Sequence, residues 1–377
     1  MAADQEPARL ILEDGTVLHG RSIGAPGKAL GELVFNTSHT GYQEILTDPS
    51  YRGQVVLLTC PHIGNYGICA EDDESARPWL EGLVVREAAR LPSNFRAGTD
   101  LSSYLRSQEI VAIDGIDTRL LTRKVRSGGE MRSLITTDEE PSDDALTGEV
   151  RASAGTRGRD LVSDVTRVDS VDWKLGYESR FSPRRNGDLP EGLIPIVAID
   201  CGIKRNILRS LVEHGFRVRV VPAGTPAEEI LASSPCGVFI SNGPGDPSGV
   251  PYLVETMREL TLAKRLPTFG ICLGHQILSL VLGGRTYKMR FGHHGGNHPV
   301  KELATGRIDI TSQNHSYAVD ADSLPGDVEV THLNLNDGSV EGLRHEKLPV
   351  WSVQYHPEAA PGPHDALGLF ARFRRMF

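Results

Sequence analysis

Apolar and polar positions follow two different rhythms along this chain. In residues 1–150 the segment ARLILEDGTVLHGRSIG reads as strand, turn, strand, with Asp14 and Gly15 at the tip of a hairpin. Further apolar runs follow at GELVFN, QVVLLTC and EGLVVRE, separated by Gly- and Pro-bearing loops such as TDPSYRGQ. DLSSYLRSQE opens on a good helix cap, and DTRLLTRKVRSGG closes on glycines, so both read as short helices. Residues 194–377 behave differently. The runs IPIVAID, CGVFI and LPTFGI are continuously apolar, and amphipathic stretches such as CGIKRNILRSLVEHG and HQILSLVLGG stand between them. Buried strands alternating with helices predict βαβ units and a parallel sheet.

The expected fold class is therefore α/β. A mostly parallel open sheet flanked by helices occupies residues 194–377, preceded by a smaller, β-rich mixed domain in residues 1–150. Residues 151–193 turn polar, and YESRFSPRRNGDLPEG within them reads as a linker.

Composition narrows the partners. The 377 residues carry 40 Lys and Arg against 49 Asp and Glu, a net charge of −9, which argues against a broad nucleic-acid footprint. No apolar run is long enough for a membrane span, and MAADQEPARLILEDG predicts no secretory leader. Five widely spaced cysteines predict free thiols in a reducing cytoplasm, not a disulfide framework.

In parallel sheets, ligands gather at the carboxyl ends of strands. Gly270-Ile271-Cys272-Leu273-Gly274 stands there, between the strand PTF and the helix HQILSLVL. Small residues flanking a nucleophile at a strand-to-helix turn make a nucleophile elbow. Cys272 at a helix N-terminus would be favoured as thiolate, and the Leu273 N–H would face a developing oxyanion. Cys201 competes for this role but has Asp200 beside it, and a neighbouring carboxylate opposes thiolate formation. The base and its orienter are expected in Tyr355-His356-Pro357-Glu358. Pro357 excludes helix, and side chains two apart in an extended segment share a face, so Glu358 can orient His356.

Three other motifs bear on ligand binding. SNGPGDP (241–247) lacks the third glycine of a dinucleotide loop, and its prolines remove amides; GAPGKA (24–29) departs from a phosphate loop at both ends. Neither is read as a nucleotide site, although SNGPGDP remains a strand-end loop able to turn N–H groups toward a small polar substrate. FGHHGGNHP (291–299) offers imidazoles but reads better as a shaped loop than as a metal site. No metal is expected.

GICLGHQ with a downstream HPE in an α/β domain resembles the class I (triad) glutamine amidotransferases. FNTSHTGYQEILTDPSY, PHIGNYG, AIDGIDTRLLTR, SNGPGDP and FGHHGGNHPV, spread over nearly the whole chain, resemble the carbamoyl-phosphate synthetase small subunits. The resemblance implies a glutaminase in which Cys272, His356 and Glu358 release ammonia through a γ-glutamyl thioester. It implies glutamine binding by Ser50, Gly243, Gly245, Leu273, Gln276, Asn314, Ser316 and Tyr317. The implied partner is a large synthetase subunit, in a heterodimer or an oligomer of heterodimers. That partner would hold ATP and Mg, with no cofactor in this chain. The product would be carbamoyl phosphate for arginine and pyrimidine synthesis. Where the family often reads Gln-Asn-His-Gly-Phe, this chain reads Gln313-Asn314-His315-Ser316-Tyr317, and Cys201 stands where an aromatic is expected. The competing readings are a stand-alone γ-glutamyl hydrolase, which has no use for the long first domain, and a non-catalytic regulatory subunit, which has no use for a complete triad.

Overall fold

A computed structural model describes residues 6–177 and 192–377. The chain divides into two compact units. The first holds the described residues up to Thr156 together with Arg290–Gly295; the second holds Arg157–Met289 and Gly296–Phe377.

In the first unit the predicted hairpin forms. Pro7–Leu12 pairs antiparallel with Val17–Ser22, with Ile11 opposite Val17. Gly15 takes the left-handed φ of 91° that the turn requires, and the Asp14 carboxylate accepts from the Thr16 N–H at 3.0 Å. The apolar runs do not stay a loose mixture of strands. They close into a barrel in the order Pro7–Leu12, Val17–Ser22, Val111–Asp114, Gly82–Val84, Gln54–Leu58, Lys28–Asn36 and Met131–Thr136. Closure removes the exposed edges of a small sheet, and the inward positions Leu10, Leu12, Leu33, Val55, Leu57, Val84, Ile113 and Ile135 fill the interior. The helix Thr118–Gly128 buries Leu121 and Val125 against it and ends at Gly129, φ 101°.

In the second unit Phe216–Pro222, Ile194–Asp200, Gly237–Ile240, Thr268–Ile271 and Val350–Val353 lie side by side and parallel. The sheet continues antiparallel through Val340–His345, Val328–Asn334 and Arg285–Glu302. Its two faces bury separate cores. One is built around Val197, Ile199, Val238, Ile240 and the helix residues Ile277, Leu278 and Val281; the other is built around Ile196, Phe239, Phe269, Phe370 and Phe373. Burial on both faces explains why these strands read as continuous apolar runs.

Two expectations need correction. Residues 151–177 are not a linker. Arg151 and Ala152 finish the helix Asp143–Ala152, and Thr156 is buried in the first unit, donating from its N–H and hydroxyl to Glu32 at 2.9 Å each. Beyond it Val162 enters the core of the second unit, and Val171–Trp173 adds an antiparallel strand beside Phe216–Pro222. The boundary lies between Thr156 and Arg157. An edge strand and one short helix need few apolar side chains, so the segment looked polar throughout. Most of YESRFSPRRNGDLPEG lies outside the described residues. Likewise FGHHGGNHP is not a loop but the interior of the strand Arg285–Glu302, which buries His293 and His294. Its glycines lower strand propensity, but backbone pairing over a long strand outweighs that preference.

Candidate active site

The elbow forms at the end of the strand Thr268–Ile271. Cys272 caps the helix Leu273–Val281 with φ 55° and ψ −105°, a strained conformation for a non-glycine residue. The flanking glycines are a steric necessity. A Cβ on Gly274 would lie 2.3 Å from the Ile240 carbonyl oxygen, and one on Gly270 would lie 2.8 Å from the backbone of Gly274. The Cys272 N–H donates to the Val353 carbonyl at 2.9 Å, and the Gly274 N–H donates to Ser241 at 3.0 Å. The Leu273 N–H is the first of the helix and has no intrahelical acceptor by position.

His356 and Glu358 follow the neighbouring strand Val350–Val353. The His356 N–H donates to the Ser312 carbonyl at 2.9 Å. The segment is a turn and not the extended run expected, because the Ala359 N–H returns to the His356 carbonyl at 3.1 Å. The pairing survives: His356 Nδ1 lies 2.7 Å from Glu358 Oε1, with both side chains fully buried. Burial opposes charge on the ring, but the Glu358 carboxylate and the Cys272 sulfur outweigh it and raise the imidazolium well above the ordinary histidine range. Burial likewise opposes the carboxylate, and Lys204 and His356 outweigh it and hold Glu358 ionised. The Cys272 thiol points to the Asn314 carbonyl at 3.4 Å.

The SNGPGDP loop ends the strand Gly237–Ile240. A Cβ on Gly243 would lie 2.2 Å from the Cys201 carbonyl oxygen, so only glycine fits. Gly245 adopts φ 85°. Asp246 fixes the far end, accepting from the Ser248 N–H at 2.9 Å and the Gly158 N–H at 3.0 Å. Gln276 donates both amide hydrogens to the protein, to the Tyr317 carbonyl at 2.9 Å and to Gln354 at 3.1 Å, which leaves its oxygen for a ligand. Asn314, Ser316 and Tyr317 lie on the strand Ile308–Asp320. Cys272, His356, Glu358, Gly243, Gly245, Leu273, Gln276, Asn314, Ser316 and Tyr317 thus all belong to the second unit. Ser50 belongs to the first, buried in the turn Pro49–Tyr51, where its N–H donates to Asp48 at 2.9 Å. Cys201 is wholly buried, and burial together with Asp200 pushes its thiol far above the usual range, so it makes a poor nucleophile.

Two features escaped the sequence reading. Lys204 is buried beside Glu358, with its Nζ donating to the carboxylate at 2.9 Å. Its signal was a lysine at the cap of the helix Arg205–Glu213, where the helix dipole disfavours a cation. Gln313, on the strand that carries Asn314, bridges His315 Nε2 at 2.9 Å and Glu341 at 3.0 Å. The polar text of that strand gave no sign that these residues face inward.

His275, on the elbow helix, is fully buried with Nδ1 2.9 Å from Ser352 Oγ. Burial, aided by His332, pulls its pKa down to about 3, and burial pulls His332 down to about 4. Both stay neutral in the folded chain while the unfolded chain protonates near pH 6.5. Their stabilisation is complete above pH 6.5 and is lost as the pH falls toward the folded values, about 4 for His332 and about 3 for His275, by about 1.4 kcal/mol per pH unit for each group. Urea unfolding at pH 7.5 and 5 is expected to show this loss, with a shallower slope for His275→Gln. Equal slopes would refute it.

Residues 197–376 match the family Glutamine amidotransferase class-I, and residues 10–135 match Carbamoyl-phosphate synthase small chain, CPSase domain. The carbamoyl phosphate synthase small chain of Syntrophotalea carbinolica is 52% identical over 367 residues, covering 97% of this chain and 96% of that one. The small chain of Thermus thermophilus is 51% identical, covering 99% and 94%. The chloroplastic small chain of rice, Oryza sativa, is 50% identical, covering 98% and 82%. A crystal structure of a Thermotoga maritima glutamine amidotransferase covers 44% of this chain and 76% of its own, at 22% identity and a TM-score of 0.35. Matches this extensive over both halves show that the chain belongs to the carbamoyl phosphate synthase small chain family.

Proposed function

We propose that this chain hydrolyses glutamine and hands the ammonia to a large synthetase subunit. The observation that carries the reading is a cysteine on a strained elbow, facing a buried imidazole that a buried carboxylate holds. The Cys272 sulfur, as thiolate, attacks the side-chain amide carbon of glutamine. The carbonyl electrons move to oxygen, where the Leu273 N–H and a glycine N–H of the SNGPGDP loop stabilise the charge. The His356 imidazolium protonates the amide nitrogen, the C–N bond breaks, and ammonia leaves a γ-glutamyl thioester. His356 then takes a proton from water, whose oxygen attacks the thioester and releases glutamate and the thiolate.

Ser50, Gly243, Gly245, Gln276, Asn314, Ser316 and Tyr317 are the proposed contacts for glutamine. The large subunit, in a heterodimer or a higher assembly of heterodimers, supplies ATP and Mg and joins ammonia to bicarbonate as carbamoyl phosphate. The product serves arginine and pyrimidine synthesis. Among the described residues no helix is long and apolar enough to cross a membrane, and all five cysteines are free. Free thiols support a reducing cytoplasmic setting.

A diazoketone or chloroketone analogue of glutamine tests this reading. Peptide mapping of the treated chain is expected to find one adduct, on Cys272, blocked by excess glutamine. Labelling elsewhere, or labelling that glutamine leaves unchanged with the large subunit present, would overturn it.

A further inference from the structure

Successive side chains of a strand alternate in direction, so Thr311, Gln313 and His315 share one face of Ile308–Asp320 while Asn314 and Ser316 share the other. All three are buried, and they meet Glu341, which is fully buried on the strand Val340–His345. Gln313 Nε2 donates to Glu341 Oε2 at 3.0 Å and to Thr311 Oγ1 at 3.2 Å, and Gln313 Oε1 lies 2.9 Å from His315 Nε2. Asn334 Nδ2 donates to Glu341 Oε1 at 2.9 Å. His315 Nδ1 lies 2.7 Å from the Tyr317 carbonyl oxygen. From there the chain of hydrogen bonds closes into a ring. The same carbonyl accepts from Gln276, Gln276 donates to Gln354, and the Gln354 N–H donates to the Glu341 carbonyl at 2.9 Å.

Donor and acceptor types settle where the protons are. A carbonyl oxygen only accepts, so His315 Nδ1 carries a proton. The other ring nitrogen is settled by the Gln313 amide. The Thr311 hydroxyl gives its hydrogen to the His298 carbonyl at 2.9 Å, so its oxygen accepts from Gln313. Both oxygens of the Glu341 carboxylate accept as well. These two neighbours hold the amide nitrogen on their side and turn its oxygen to His315 Nε2. Reversed, that oxygen would meet a carboxylate and a hydroxyl whose hydrogen points elsewhere. Nε2 therefore carries a proton too, and the ring is an imidazolium. A buried carboxylate is costly without a compensating charge, and this cation lies one side chain away.

Resting on the glutaminase reading of Cys272, His356 and Glu358, we propose that Glu341 is a positioning residue for glutamine. Its charge, relayed through the Gln313 amide, keeps both nitrogens of His315 protonated, and that cation pins the Tyr317 carbonyl. A hydrogen bond from an ionised donor is roughly twice as strong as a neutral one. The pinned carbonyl in turn fixes Gln276, whose side-chain oxygen is the one left for a ligand. It also fixes the stretch of strand whose opposite face carries Ser316 and Asn314, and the Asn314 carbonyl receives the Cys272 thiol at 3.4 Å. Cys272, His356 and Glu358 stand outside the ring of hydrogen bonds. Glu341 therefore acts on substrate binding and leaves the bond-breaking steps to the triad.

The test uses the full chain and follows the His315 ring by 15N NMR at about pH 8, well above the ordinary histidine pKa of about 6.5, with assignment by His315→Gln. Both ring nitrogens are expected to carry protons there. Glu341→Gln keeps the shape of the side chain and an acceptor for Asn334 but presents an N–H to Gln313. The Gln313 amide then turns over, and Nε2 is expected to lose its proton. Gln313→Met cuts the relay, with the same loss expected. Glutamine hydrolysis, assayed with the large subunit, is expected to show KM raised about tenfold in Glu341→Gln with kcat changed less than about twofold. A ring with one bare nitrogen in the unsubstituted chain overturns the proposal, and so does a ring that keeps both protons in Glu341→Gln. An unchanged KM in a variant whose ring has lost its charge overturns it as well. If Glu341→Gln fails to fold, the unsubstituted chain and Gln313→Met still decide the matter. Failure of the glutaminase reading looks different: Cys272→Ala would retain hydrolysis, while the ring spectrum would still report whether Glu341 sets the charge of His315.

Discussion

Replacing Cys272 by alanine is expected to lower glutamine hydrolysis by about four orders of magnitude or more, because losing a covalent nucleophile abolishes the two-step route. The fold should tolerate the change. Cys272 is packed between two strand ends and removes only one sulfur atom when truncated, and alanine meets the same φ of 55° that cysteine already bears. A loss of about 1 kcal/mol is expected from the small cavity, well below what unfolds a domain. The measurement pairs glutamine-dependent with ammonia-dependent carbamoyl phosphate synthesis in the complex. The first is expected to vanish and the second to persist, since free ammonia bypasses the elbow. If glutamine-dependent synthesis persisted at even a tenth of its rate, Cys272 would not be the nucleophile. Loss of both activities together with a lower unfolding midpoint would point to damage to the fold instead.

Glu358→Ala is expected to injure both stability and activity. It leaves the Lys204 ammonium buried without its carboxylate and His356 Nδ1 without its acceptor. Breaking a buried pair from one side costs about 3–5 kcal/mol, far more than the pair itself contributes. Hydrolysis is expected to fall by about 10²–10⁴, as when the orienting carboxylate is lost from a comparable triad. The double variant Glu358→Ala, Lys204→Met should regain most of the stability, because no unpaired charge remains, and none of the activity. Denaturant midpoints of the two single variants and the double variant close this cycle. Additive losses would mean that the two residues do not interact in the folded chain. The carboxylate also contributes to acid sensitivity. Its folded pKa lies below the unfolded value, so its stabilisation is complete above about pH 4.5 and disappears as the pH falls further. That window opens below the start of the one set by His275 and His332 and overlaps its acid end.

What the chain declares locally is also what it declares reliably. The elbow was legible because its causes are adjacent in sequence: an apolar strand, a helix of the right period, and glycines at 270 and 274 where the backbones of Ile240 and Gly274 leave no room for Cβ. The pairing of His356 with Glu358 was legible because Pro357 excludes helix, although a turn and not a strand brings the carboxylate to the ring. The parallel sheet of the second unit was legible because strands buried on both faces can only be apolar throughout. Tertiary structure decided the rest. Barrel closure in the first unit depends on pairings such as Lys28–Asn36 with Gln54–Leu58 in parallel and with Met131–Thr136 in antiparallel, and no local preference encodes a choice of partner. Residues 290–295 count with the first unit although they lie within a strand of the second half of the chain. Lys204 and Glu358 are 154 residues apart, and nothing near either one in sequence announces the other. Backbone geometry and hydrophobic period are short-range properties that a sequence states outright, whereas a buried charge acquires its meaning only from the partner that folding brings to it.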